Sequence, residues 1–199
     1  MSLGSICVFS GSADGSRPDY RIAAEALGRL LAERGITLVN GGSGIGLMGR
    51  VADGALAAGG RAIGVIPESL MAQEIAHRGL TELRVVGSMH ERKAQMSELA
   101  DAFVALPGGL GTFEELLEAA TWSKLGLQAK PCGVLNVCGY FDPLIALIDG
   151  AVANGFLSAE YERIFLPGDD PRELLDRLAE WRAPVEWQPP AAEPRQRSA

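Results

Sequence analysis

Two stretches of this 199-residue chain concentrate glycine where a strand-like run gives way to a helical pattern. The first is Val39-Asn40-Gly41-Gly42-Ser43-Gly44-Ile45-Gly46-Leu47-Met48-Gly49 and the second is Leu106-Pro107-Gly108-Gly109-Leu110-Gly111-Thr112-Phe113-Glu114-Glu115. Both set bare backbone amides against the positive end of a helix, an arrangement suited to phosphate. Gly44-x-Gly46-x-x-Gly49 also fits the dinucleotide fingerprint of an oxidoreductase, with Glu68 about twenty residues on as the ribose partner. That match falls on the second strand–helix unit and leaves the second glycine loop without a task. Tight strand–helix packing is the plain alternative for the first loop. In the second, Thr112 and Glu115 have capping-box spacing, the hydroxyl on the third helical amide and the carboxylate on the cap amide. A carboxylate beside an anion site repels a phosphate, so the chemical alternative has Glu115 facing a sugar.

Positive charge comes from a third segment, Ser88-Met89-His90-Glu91-Arg92-Lys93, which carries its own S-x-x-E start signal. Arg92 and Lys93 fall in a first helical turn, where the dipole disfavours cations. A clamp on phosphate or ribose gives them a reason to be there, Arg through its planar fork and Lys as a point charge. A solvated surface pair is the alternative. His90 fits packing or a helix-end hydrogen bond.

These residues need a scaffold that gathers three loops. Near-continuous apolar runs predict strands at 5–10, 37–40, 62–67, 83–86, 102–106 and 133–137, with a weaker one at 163–166. Strands covered on both faces in a parallel sheet read this way. Helical periodicity fills the gaps at 18–34, 47–58, 89–99, 113–125, 143–154 and 171–181. The alternation predicts an α/β fold, a doubly wound parallel sheet, with ligands at the carboxyl ends of the strands. Residues 1–182 form one nucleotide-binding domain, and 183–199, with four prolines, reads as a disordered tail.

Apolar residues at 47% and charged residues at 22% fit a soluble globular protein. A net charge of −7 argues against nucleic-acid and anionic-membrane partners. Cys7, Cys132 and Cys138 make no C-x-x-C pair, so neither a disulfide framework nor a zinc site is expected. No signal peptide or membrane span is read, and the expected location is cytoplasmic.

Taken together the three segments resemble the LONELY GUY (LOG) family of cytokinin riboside 5′-monophosphate phosphoribohydrolases. The family hallmark P-G-G-x-G-T-x-x-E stands at 107–115 without departure, joined by the first glycine loop and by M-H-x-R-K from Met89 to Lys93. Further agreement runs through V-F-x-G-S (8–12), G-V-I-P (64–67), T-W-x-x-L-G (121–126) and L-N-x-x-G-Y (135–140). The chain departs at Ser10, where many members carry Cys; packing is expected there. The resemblance implies a Rossmann-like fold, usually a homodimer, acting on a small nucleotide substrate with no metal or organic cofactor. It casts Arg92 and Glu115 as the catalytic pair, with Gly108, Gly109, Gly111 and Thr112 about the phosphate. Lys93, Gly42 and Gly44 assist, and Glu74, Met89 and Thr121 contact substrate. The implied reaction hydrolyses the N-glycosidic bond of (N6-modified) adenosine 5′-monophosphates to free base and ribose 5-phosphate. The alternative is a non-catalytic nucleotide or phospho-cofactor binding protein. The family has also carried a lysine-decarboxylase label, for which Lys93, Lys124 and Lys130 are the available amines. Helix 89–99 and the region of Trp122 are the expected dimer interface.

Overall fold

The computed structural model describes residues 3–71, 75–158 and 164–183. Glu74 and, apart from Ala183, the Pro-rich segment 183–199 lie outside the described residues. Seven strands, β1 (Ser5–Phe9), β2 (Thr37–Asn40), β3 (Ala62–Pro67), β4 (Glu82–Val86), β5 (Ala102–Ala105), β6 (Cys132–Leu135) and β7 (Phe165–Gly168), form one sheet. Every pairing is parallel, and the order is β4-β3-β2-β1-β5-β6-β7. Among the described residues, six α-helices connect or follow them: α1 (Pro18–Glu33), α2 (Gly46–Ala57), α3 (Met89–Leu99), α4 (Leu110–Lys124), α5 (Asp142–Ala153) and α6 (Pro171–Glu180).

Side chains alternate along each central strand, so each face of the sheet carries its own core. Ile6, Val8, Leu38 and Val104 pack under α1, α2 and α6 through Leu27, Leu31, Val51 and Leu174. Cys7, Phe9, Val39 and Phe103 pack under α3, α4 and α5 through Met96, Leu116, Ala120 and Phe141. With both faces covered, β1 and β3 are buried almost end to end, which is why they read as unbroken apolar runs. The edge strand β4 is only partly buried and carries Glu82 and Arg84, paired at 2.7 Å.

The chain winds from β1 outward to β4, then returns through α3 to lay β5 on the other side of β1. This reversal opens a crevice at the carboxyl ends of β1 and β5, the place where such sheets bind ligands.

Candidate active site

The crevice is a cleft of about 280 Å³, walled by Ser10 and Gly11 after β1, Met48 of α2, Met89 and Arg92 of α3, and residues 109–112 with Glu115 of α4. Its two central loops are tied together. The amide of Gly11 donates to the Pro107 carbonyl at 3.0 Å, and that of Leu106 to the Phe9 carbonyl at 2.9 Å.

The second glycine loop faces this cleft, and it does so without the capping box that the Thr112–Glu115 spacing allows. Gly109, in extended conformation, is the N-cap and has no side-chain cap; α4 begins at Leu110, three residues earlier than the apolar pattern of 113–125 predicts. The amide of Phe113 reaches back to the Gly109 carbonyl at 3.2 Å, so the turn closes before Thr112. Thr112 is therefore already helical and Glu115 lies in the next turn, too far along to cap the helix. Amides of the first turn have no intrahelical acceptor, and the residues Leu110 and Gly111 border the cleft. Tyr140, from the loop after β6, donates its hydroxyl to the Gly108 carbonyl. In a trans peptide C=O and N–H point opposite ways, so this bond turns the Gly109 amide away from Tyr140. A side chain at Gly108 would meet the Thr112 hydroxyl at 2.0 Å and the Gly11 amide nitrogen at 2.7 Å, which fixes glycine there by close approach.

Helical spacing puts Glu115 four residues beyond Gly111 and three beyond Thr112, on the same face and about 5 Å further along the axis. Glu115 is 9% exposed and Arg92, across the cleft on α3, is 3% exposed. The solvated-pair alternative for Arg92 fails on that burial. Its Nη2 donates to the Gly41 carbonyl at 3.0 Å, and a side chain at position 41 would meet that nitrogen at 1.8 Å. Burial pushes the Cys7 thiol beneath the site well above its ordinary range; Glu115 adds to the rise and Arg92 opposes it. Burial likewise raises Cys132, so neither thiol is a nucleophile near neutral pH.

Lys93 does not line the cleft. Its Nζ sits between Glu114 at 2.5 Å and Glu118 at 2.9 Å, binding α3 to α4. Desolvation works against its charge, but the hydrogen bonds from Glu114 and Glu118 outweigh it, and the ammonium is held above its usual range. Thr121 is exposed farther along α4, its hydroxyl on the Leu117 carbonyl at 2.6 Å. His90 is exposed at the head of α3, where Ser88 caps the helix through the Glu91 amide as its sequence predicts.

The first glycine loop is occupied by the chain itself. The Gly44 amide donates to the Ile75 carbonyl at 2.9 Å, the His77 amide to the Gly42 carbonyl at 2.9 Å, and the Gly42 amide to the Asn40 side chain at 2.9 Å. Ser43 and Ala76 complete an antiparallel bridge. Neither Gly42 nor Gly44 lines the cleft, and the crest a dinucleotide would need is covered by 75–77. The structure thus gathers Arg92, Glu115, Met89, Gly109, Gly111 and Thr112 in one cleft, with Gly108 just behind. Gly41, Ser10 and Tyr140 also shape it. Gly41 belongs to the first glycine motif; the bond of Tyr140 to Gly108 and the burial of Ser10 have no sequence signal, because both depend on elements distant in the chain.

A family model described as "Possible lysine decarboxylase" matches residues 48–178. A pyridoxal-dependent reaction needs a lysine amine at the site, and none of Lys93, Lys124 and Lys130 lines the cleft. Over 176 residues the chain is 49% identical to the probable cytokinin riboside 5′-monophosphate phosphoribohydrolase LOGL9 of Oryza sativa subsp. japonica, covering 88% of this chain and 78% of that one. It is 48% identical over 176 residues to the cytokinin riboside 5′-monophosphate phosphoribohydrolase LOG7 of Arabidopsis thaliana, covering 88% and 81%. Among solved structures, the molybdenum cofactor binding protein of Rippkaea orientalis shares the fold, with a TM-score of 0.66 and 23% identity over 88% of this chain and 95% of that one. With its hallmark loop intact at the head of α4 and this identity along most of its length, the chain belongs to the LONELY GUY (LOG) family.

Proposed function

We propose that the protein hydrolyses the N-glycosidic bond of N6-modified adenosine 5′-monophosphates, releasing the cytokinin base and ribose 5-phosphate. The observation that carries this reading is a buried carboxylate, Glu115, one helical turn inward from a cluster of helix-start amides. The amides take the 5′-phosphate, and the intervening turn matches the reach from a phosphate to the anomeric carbon. Breaking C1′–N9 develops positive charge on the ribose, as in glycosidases. Glu115 stabilises that charge and orients the water whose oxygen forms the new C1′–O bond; a proton from that water goes to the departing base. Arg92, fixed by the Gly41 carbonyl, positions the ribose against Glu115. Holding the non-reacting phosphate supplies orientation at the reacting carbon.

Purified protein incubated with AMP and with N6-isopentenyl-AMP should release free base and ribose 5-phosphate in equal amounts, faster from the prenylated nucleotide, while the corresponding nucleosides stay intact. A nucleotide that binds but is never cleaved would select the binding-protein reading instead.

The same reading takes the protein as a cytoplasmic homodimer. Val85, Met89, Leu117, Leu125, Leu127 and Leu147 are large apolar side chains left exposed on one protomer, several of them around α3 and α4. Sedimentation at micromolar concentration should give twice the monomer mass; a monomer would remove the dimer and leave the chemistry intact. No helix among the described residues is long and apolar enough to cross a membrane. Fractionation placing the protein outside the cytoplasm would remove that assignment.

A further inference from the structure

Ser10 follows β1 at the centre of the sheet, and packing is all its sequence suggests. The structure gives it a different setting. Ser10 is 4% exposed and borders the cleft, yet its buried hydroxyl has no hydrogen-bond partner. A hydroxyl offers one donor and two acceptor positions, and buried polar groups are nearly always paired. The backbone groups around it are already engaged. Phe9 accepts from Leu106, Gly11 donates to Pro107, and the Gly11 carbonyl accepts from Met48 at 3.2 Å. Val8 packs with the cluster under α1 and α2 and Phe9 with the one under α3 and α4. Ser10 sits one residue past the end of β1, on the cleft floor beside the loop that opens α4.

With the phosphate at the head of α4 and the anomeric carbon at Glu115, the ring between them rests on that floor. We infer that the Ser10 hydroxyl hydrogen-bonds a ribose hydroxyl of the substrate, making Ser10 a substrate-binding residue rather than a packing one. The inference rests on the phosphoribohydrolase reading. It also gives a consequence to the departure from Cys, because a thiol is a weak donor and acceptor.

The test is calorimetric titration of wild type, Ser10→Ala and Ser10→Cys with ribose 5-phosphate and, separately, with inorganic phosphate, alongside melting of the free proteins. Both variants should bind ribose 5-phosphate about tenfold more weakly, the worth of one neutral hydrogen bond. Phosphate affinity should not change. The free Ser10→Ala protein should melt at or above the wild-type temperature, since an unpaired hydroxyl has been removed; a structural serine would instead lower it. The inference is overturned if ribose 5-phosphate affinity is unchanged in Ser10→Ala, if phosphate affinity falls equally, or if Ser10→Cys binds as wild type does. A wild-type protein that binds no ribose 5-phosphate would remove the hydrolase reading and this inference together; a wild-type affinity that survives both substitutions removes this inference alone.

Discussion

The two glycine loops look interchangeable in the sequence and do opposite things in the structure. Each follows a strand of the parallel sheet and opens a helix, and each presents the composition of a phosphate cradle. Around 41–49 the amides of Gly42 and Gly44 are consumed by Asn40 and Ile75, and segment 75–77 lies across the loop as a short antiparallel bridge. Around 107–112 the residues that open the helix, Gly109 to Thr112, border the cleft instead. An anion site needs donors that are free as well as correctly placed. Composition reports the placement, while freedom depends on what the rest of the chain lays over the loop. Arg92 joins the two regions, its guanidinium on the Gly41 carbonyl and its side chain in the cleft wall. The first loop thus positions a charge for the site that the second loop opens.

The sharpest way to break this division of labour is at the carboxylate. Glu115→Gln is isosteric and should lower kcat by about 10²–10⁴-fold, the range for a general base, in a protein that still folds. Near-wild-type turnover in a folded Glu115→Gln protein would remove the mechanism. Arg92→Ala should also lose most activity, with some loss of stability because the Gly41 carbonyl forfeits its donor.

Paired glycine substitutions test the contrast itself. A methyl at Gly108 collides with the Thr112 hydroxyl and the Gly11 amide, and one at Gly44 meets the Ile75 carbonyl oxygen at 2.8 Å. Both are overpacking changes costing about 1–3 kcal/mol. Gly108→Ala should raise KM for the monophosphate by roughly tenfold or more as the cradle opens. Gly44→Ala should spend its effect on melting temperature and leave KM nearly unchanged. A Gly44→Ala enzyme that stays stable but binds phosphate poorly would return the first loop to the substrate.

Tyr140→Phe should act more gently. The ring keeps its contacts with Tyr20, Phe113 and Phe141, while the Gly108 carbonyl loses its donor. A loss of about 1 kcal/mol in cradle geometry corresponds to roughly a fivefold rise in KM for monophosphates, with nucleoside binding unaffected. Equal effects on nucleotide and nucleoside would show that Tyr140 supports the fold and not the loop.

Most of the scaffold was legible because its determinants are local. Strands 37–40 and 62–67 and the helix start at Met89 fall where the apolar runs and the Ser88 signal put them. The head of α4 starts three residues before its apolar pattern for a physical reason. Thr112 and Glu115 satisfy the capping-box pattern, but the turn is closed by the extended backbone of Gly109, with the adjoining Gly108 carbonyl held by Tyr140 from beyond β6. Arg92 and Glu115 stood out as charges in awkward helical positions, and the structure does bring both to the cleft. The crossing of 75–77 over the first loop, the unpaired hydroxyl of Ser10 and the partners of Lys93 are all tertiary, set by which elements the fold makes neighbours.

Lys93 gives the smallest effect and the finest distinction between the two roles a basic residue near the proposed phosphate site can have. Its ammonium is clamped between Glu114 and Glu118, so it reads as a strut between α3 and α4. Lys93→Met should lower the melting temperature by about 2–4 °C, what a 1 kcal/mol loss gives a chain of this size, and change KM little. Because the folded protein holds this lysine above its ordinary value, the strut contributes fully below about pH 10.4 and is lost as pH rises through the folded value. The melting difference between wild type and Lys93→Met should therefore hold from neutral pH to about pH 10 and shrink above it. If the substitution instead raised KM for monophosphates as strongly as Gly108→Ala and left melting untouched, Lys93 would leave its carboxylate partners for the substrate phosphate during the reaction cycle.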